Sequence, residues 1–325
     1  MRTEEVTFYS EGDRVAGTLK WPDVLPGGTI PGIVQGPGWL GLRSAKLYDR
    51  YHKALTEAGY ALLIIDYRGF GDSGGQKGLL LPQRQLEDLR HAVTYLQTRS
   101  EIHPDRIGAF GSGGTGGGNA VLLAGMDPRV KAAVCQVGVA DGEDWLHRMR
   151  REYEWIEFRQ RVEQDRRQRV LTGESSMVSP RDEIAIQTPE RRETGVKKDV
   201  DSRIPGTVPL ACAEAIMQYK PIEVVDRIAP RAVLFIAVEP DAVTPEDHSY
   251  RMYERARPPK RLIVQRGTSH YKAYDQYGDI ITPQIVEWYN RHLGWGAIET
   301  REERLAAEAV LYVQPGGKLE SLAAV

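Results

Sequence analysis

The 325-residue sequence carries 43 basic and 45 acidic side chains, a net charge of −2, with 41% hydrophobic and 27% charged residues. Both signs are mixed along the chain, which excludes the one-signed field that nucleic acid or an anionic membrane surface needs and leaves a small-molecule substrate as the expected partner. Two cysteines, Cys135 and Cys212, cannot build a disulfide framework, and both lie in apolar or small-residue runs as core residues do. The start of the chain has no basic-then-apolar leader pattern, and no apolar run approaches the ~20 residues of a membrane span, so a cytoplasmic, non-membrane protein is expected.

Two alternating stretches at 5–9 and 14–19 flank a turn at 10–12 and predict an N-terminal β-hairpin. A buried strand at 32–35 runs into the loop GPGWLG at 36–41, and 46–58 has helical spacing up to Gly59. The strand at 60–66 contains ALLII, whose lack of alternation fits a parallel strand covered on both faces. A helix at 82–99 and a strand at 106–110 complete a β-α-β-α-β order, that of a doubly wound, mostly parallel α/β sheet. Further strands are expected at 130–137, 232–238 and 261–265, with a closing helix at 281–293.

Residues 141–210 break this pattern. They are rich in Arg and Glu, with Trp145, Tyr153, Trp155 and Phe158 at roughly helical spacing, and they read as a helical cap inserted between core segments 1–140 and 211–325. The plainer alternative is a solvated helical excursion over a sheet edge. The tail carries an amphipathic helix at 299–309 and a strand-like piece at 310–313, a candidate for homodimer contacts.

The string Asp66-Tyr67-Arg68-Gly69-Phe70-Gly71-Asp72-Ser73-Gly74 resembles the post-strand turn of α/β-hydrolases. Asp105-Arg106-Ile107-Gly108 resembles the strand entering the nucleophile elbow, and Asp127-Pro128-Arg129-Val130-Lys131-Ala132 the lead-in to the next strand. Ile228-Ala229-Pro230-Arg231 and Gly267-Thr268-Ser269-His270 follow in the family's order. The ordered set, which spans most of the chain, is similar to the dienelactone-hydrolase and acyl-peptidase-like branches with an inserted cap. The resemblance implies an α/β-hydrolase fold and a triad assembled from strand-end loops.

A hydrolytic histidine needs a carboxylate on its far nitrogen to fix the tautomer and stabilise the imidazolium. Asp241 follows LFIAV in the acid position that the resemblance implies, and His270 follows LIVQ. Glu239 is the substitute if the turn is shifted by two. His52, His91 and His292 lie on or near helices, where packed or surface roles are usual, while His147 at the cap entrance is a candidate for facing substrate. No His/Cys/Asp/Glu set has metal-ligand spacing and no Lys-Ser/Thr follows the glycine run, so neither a metal nor any other cofactor is expected.

No serine stands where the family motif Gly-x-Ser-x-Gly requires one. The run is Gly111-Ser112-Gly113-Gly114-Thr115-Gly116-Gly117-Gly118. Counting back from the helix and Asp127 puts the nucleophile slot on Gly114, and counting forward from Arg106 puts it on Gly113. A third register makes Thr115 the hydroxyl, and a fourth uses Ser112 but places Phe110 where the motif wants no side chain. Thr115 can also be read as a helix cap. Gln35-Gly36 is followed by Pro37, which has no N–H, so Gly38 or Trp39 is the expected oxyanion donor, with the backbone of Gly113, Gly114 and Gly116 shaping the elbow.

An acid and a base without a serine imply three readings. His270, oriented by Asp241, activates water or Thr115 to open an ester, amide, lactone or acyl C–C bond; or it moves protons in a lyase or dehydratase step; or the protein only binds a ligand. Trp145, His147, Tyr153, Trp155 and Trp39 are the candidate pocket wall, with Arg148, Arg150 and Arg151 as candidate carboxylate partners.

Overall fold

The computed structural model describes residues 1–25, 27–196, 201–294 and 309–321. The alternating N-terminal segments form β1 (Arg2–Ser10) and β2 (Asp13–Trp21), paired antiparallel from Arg2 with Trp21 to Ser10 with Asp13. The two residues between them, Glu11 and Gly12, both take positive φ (46° and 86°), the mirror-image turn whose twist matches that of a hairpin.

The chain continues through β3 (Ile30–Gly36), α1 (Asp49–Glu57), β4 (Ala61–Ile65), α2 (Pro82–Gln97), β5 (Ile102–Gly114), α3 (Thr115–Met126) and β6 (Val130–Gly138). It then leaves the sheet for α4 (Gly142–Arg148), α5 (Glu152–Thr172), the short strand β7 (Met177–Val178), α6 (Pro189–Val196), β8 (Val208–Pro209) and α7 (Ala211–Met217). It returns as β9 (Ala232–Glu239), α8 (Glu246–Arg255), β10 (Lys260–Arg266), α9 (Lys272–Gln276) and α10 (Gly278–Leu293), and ends in β11 (Ala309–Val313) and β12 (Leu319–Ser321).

Among the described residues ten strands make one sheet in the order β1-β2-β4-β3-β5-β6-β9-β10-β11-β12. Every pairing from β4 to β11 is parallel. The run ALLII explains the layering: Ala61, Leu63 and Ile65 join one buried cluster with α2 and α3, while Leu62 and Ile64 join a second with α1 and α10. A strand covered on both faces needs no polar side chain, and each buried Leu or Ile contributes about 1.5–3 kcal/mol relative to exposure.

Two expectations change in the structure. The strand expected at 106–110 runs from Ile102 to Gly114. The piece at 310–313, expected to serve a dimer, pairs in parallel with β10 of the same chain, Arg261 opposite Ala309. The expected helix at 299–309 falls mainly on 295–308, outside the described residues.

Between β6 and α7 the apolar residues Trp145, Leu146, Trp155, Phe158 and Val162 join the cluster that also holds the α2 and α3 side chains. Asp141 starts α4 by accepting the N–H groups of Glu143 and Asp144. The insertion is tied outward by Arg203 to Asp72 (2.6 Å) and by Arg148 to Asp247 (2.7 Å).

Candidate active site

The four registers differ in which residue they place at the β5–α3 turn. Gly114 closes β5 with φ 49° and ψ −107°, in the left-handed half of the map, and α3 begins at the next residue. Such a turn between strand and helix is what a nucleophile elbow requires; Gly113 (φ 76°) shares the positive φ, and Gly114, directly before α3, is the candidate for the slot. A Cβ built there would meet nothing nearer than Thr244 Oγ1 and Trp145 Cζ2, both at 3.9 Å. Three residues earlier the chain has no such room, since a Cβ on Gly111 would fall 1.9 Å from the Gly116 carbonyl oxygen.

Ser112 lies on β5 rather than at the turn. It is buried, with Oγ 3.2 Å from Gln136 Oε1 and 2.7 Å from the Tyr274 hydroxyl. Thr115 is buried as the first residue of α3, and its carbonyl accepts from Tyr219 (3.0 Å). Among the described residues no hydrogen bond joins Thr115 Oγ1 to His270.

Asp241 and His270 come together from the loops after β9 and β10. His270 Nδ1 is 2.7 Å from Asp241 Oδ2, and both side chains are buried. The other carboxylate oxygen accepts the N–H groups of Val243 (2.7 Å) and Thr244 (2.9 Å), so the acid is held on three sides. With Nδ1 donating to the carboxylate, Nε2 is the nitrogen left to exchange a proton. Glu239 pairs instead with Arg266 (2.7 Å).

The loop after β3 is fixed by a buried chain of polar groups. Lys20 Nζ meets His52 Nδ1 (2.7 Å), and His52 Nε2 meets Gln35 Oε1 (2.7 Å). Burial, and then the Lys20 charge, push His52 down to about 3, so the imidazole is neutral and Nε2–H donates to Gln35. The Gly38 N–H donates to the Tyr48 hydroxyl (3.0 Å), whose pKa burial raises to about 12. Trp39 is the next residue able to offer a backbone donor.

Of the expected pocket wall, Trp145 reaches the turn, its Cζ2 3.9 Å from the Cβ position of Gly114 and its Nε1 donating to the Val243 carbonyl (2.9 Å). Trp39 packs edge-on against it at 5.7 Å. His147 stacks on Trp155 (4.9 Å) and contacts Glu152 (2.9 Å), and Tyr153 is exposed. His147 lies on α4 and Tyr153 and Trp155 on α5. Arg148 is taken by Asp144 and Asp247, and Arg150 by the carbonyls of Leu146, Glu183 and Ile184. Arg151 caps α5 through its backbone N–H to Glu154.

The structure adds residues that the sequence reading omitted. Tyr271 lies edge-on to His270 at 4.8 Å and Tyr274 at 6.2 Å. Burial holds the Tyr274 phenol well above its usual pKa, so it is a hydroxyl. Their signal was position, one and four residues after the histidine, on the same face of a helical turn.

Asp144, Asp247 and His248 place ligand-type atoms within 4.8 Å of one another. Arg148 and Arg251 already neutralise these carboxylates, which disfavours a further cation.

A family model for X-Pro dipeptidyl-peptidase (S15 family) matches residues 11–272, from the hairpin turn past the histidine. The chain belongs to the S15 family. This S15-family chain is 27% identical to an uncharacterized 31.7 kDa protein of the traX-finO intergenic region of Escherichia coli, over 89% of this chain and 100% of the other. It is 29% identical to the quorum-quenching protein AidA of Acinetobacter baumannii (strain MDR-ZJ06), over 78% of this chain and 84% of that one. The crystal structure of the α/β hydrolase GrgF from Penicillium sp. sh18 superposes with a TM-score of 0.75 at 20% identity, covering 91% of this chain and 100% of that one. The S15-family chain is thus an α/β-hydrolase-fold member of a hydrolase family, and among its described residues no helix is long and apolar enough to cross a membrane.

Proposed function

We propose that the protein hydrolyses an activated acyl group, an ester or lactone of a small organic molecule, by direct attack of water that His270 deprotonates. One observation carries the reading: the residue directly before α3 is Gly114, which has no side chain, while Asp241 and His270 are paired at 2.7 Å. His270 Nε2 takes a proton from water as the water oxygen bonds to the acyl carbon. The bond to the leaving oxygen then breaks, and the imidazolium returns the proton to it. Asp241 holds the ring and balances its charge in transit.

The carbonyl oxygen is held by the Thr115 N–H, which as the first of α3 has no intrahelical acceptor, and by the Trp39 N–H of the opposite loop. Thr115 therefore serves through its backbone rather than its hydroxyl. Residues 141–210 act as a cap: Trp145 lies against the turn, and Glu190 accepts from Ser269 Oγ (2.6 Å) and the Tyr271 N–H (3.2 Å), next to the histidine.

The test uses short p-nitrophenyl esters and a fluorophosphonate probe. The wild-type protein should turn over esters without a burst and without forming an adduct, His270→Ala should lose turnover by about 10²–10⁴-fold, and Thr115→Ala should keep it. A wild-type adduct that disappears in Thr115→Ala would establish a threonine nucleophile and overturn the reading.

A further inference from the structure

We infer that Thr244 is a contact of the attacking water: its hydroxyl accepts the water's second hydrogen in the space where a serine side chain would project from Gly114. The inference rests on the water mechanism proposed above and adds a residue to it.

Three observations converge. Thr244 is 2% exposed, and among the described residues its Oγ1 has no hydrogen-bond partner. A buried hydroxyl without a partner costs about 1–3 kcal/mol, so such a group is retained where something else satisfies it. That oxygen lies 3.9 Å from the Cβ position of Gly114, so an oxygen one bond further out along the missing side chain comes within hydrogen-bond reach. Thr244 is also fixed to the acid, since its N–H donates to Asp241 Oδ1 while Asp241 Oδ2 holds His270.

Water has two hydrogens to place. One goes to His270 Nε2; the other, accepted by Thr244 Oγ1, sets the rotation that turns a lone pair toward the acyl carbon. In a serine enzyme the nucleophile's bond to its own backbone does this. Here the orientation comes from the loop that carries the acid, so base, acid and water position are fixed together. Trp145, whose Cζ2 is also 3.9 Å from the Gly114 Cβ position, closes the apolar side of the space.

The experiment compares Thr244→Val, which keeps the shape and removes the hydroxyl, with Thr244→Ser, which restores it. Thr244→Val should lower kcat about 10–100-fold with KM within about twofold, and Thr244→Ser should return kcat to within about threefold of wild type. The thermal midpoint of Thr244→Val should be unchanged or higher, because no protein hydrogen bond is lost. In a Gly114→Ser background, where the serine oxygen takes the water's place, Thr244→Val should affect the rate of fluorophosphonate labelling by less than about threefold. Ester turnover dependent on His270 but unaffected by Thr244→Val would overturn this inference and leave the proposed function standing. A folded wild-type protein without ester turnover would overturn both.

Discussion

Gly114 holds backbone angles that a side chain adopts only at a cost of about 1–3 kcal/mol, and the nearest atoms to a Cβ there are 3.9 Å away. Gly114→Ser should therefore fold, with a stability loss of that order in urea unfolding and no steric addition. If His270 addresses this point of the turn, the variant should gain a fluorophosphonate adduct that the wild-type protein lacks. Failure of a folded Gly114→Ser protein to label would mean that His270 does not address this point of the turn. Asp241→Asn should leave the fold intact and cut turnover by up to about 10⁴-fold, since the amide presents the wrong partner to Nδ1. The sequence made the acid and base readable because each follows an apolar strand that ends at the same edge of the sheet. The slot was not readable: in a run from Gly111 to Gly118 several registers satisfy the motif, and sequence does not say which residue stands directly before the helix, as Gly114 does.

At the scale of elements, the string from Asp66 to Gly74 was recognisable because its side chains fasten separate pieces together. Asp66, fully buried, accepts the N–H groups of Arg43 and Asp72, while Arg68 Nε meets Asp88 of α2 at 2.6 Å with both partners buried. Asp88→Ala should destabilise the protein by about 3–5 kcal/mol in denaturant unfolding, because it leaves the Arg68 guanidinium buried beside that gap. An effect below about 1 kcal/mol would show that Glu11, 2.7 Å from Arg68 on the exposed side, suffices. The insertion was legible as helical and charged, but not in its detail. Spacing identifies a face of α5 without saying what that face meets, and Trp155 and Phe158 meet the core cluster while Tyr153 meets solvent.

Across the whole molecule, stability should fall with pH through His52, the histidine buried behind the loop after β3. His52 in the folded protein takes a proton only near 3, whereas in the unfolded chain it does so near 6.5. Between those values the unfolded state binds more protons, so stability is full above 6.5 and declines as pH falls, by up to about 1.4 kcal/mol per pH unit. Urea unfolding at about pH 4.5 and about pH 7 should show this loss, about 2–3 kcal/mol, and His52→Gln should reduce it. His248, also lowered by burial, would supply a residual slope of the same sign. An unchanged slope in His52→Gln would place the proton uptake elsewhere. The doubly wound order was legible at this scale because parallel strands without alternation leave a strong mark in sequence. The strand-like piece at 310–313 was legible, but its place beside β10 was not, because its partner lies far back along the chain.

That last pairing has a consequence in time. Arg261 and Ala309, opposite one another in β10 and β11, are 48 positions apart. At the ~5–20 residues per second of synthesis, the β10 edge therefore waits roughly 2–10 s for its neighbour. During that interval a growing chain already holds both Asp241 and His270 but presents an unpaired strand to its surroundings, so crowding on a polysome is where this protein is most open to joining edges with another copy.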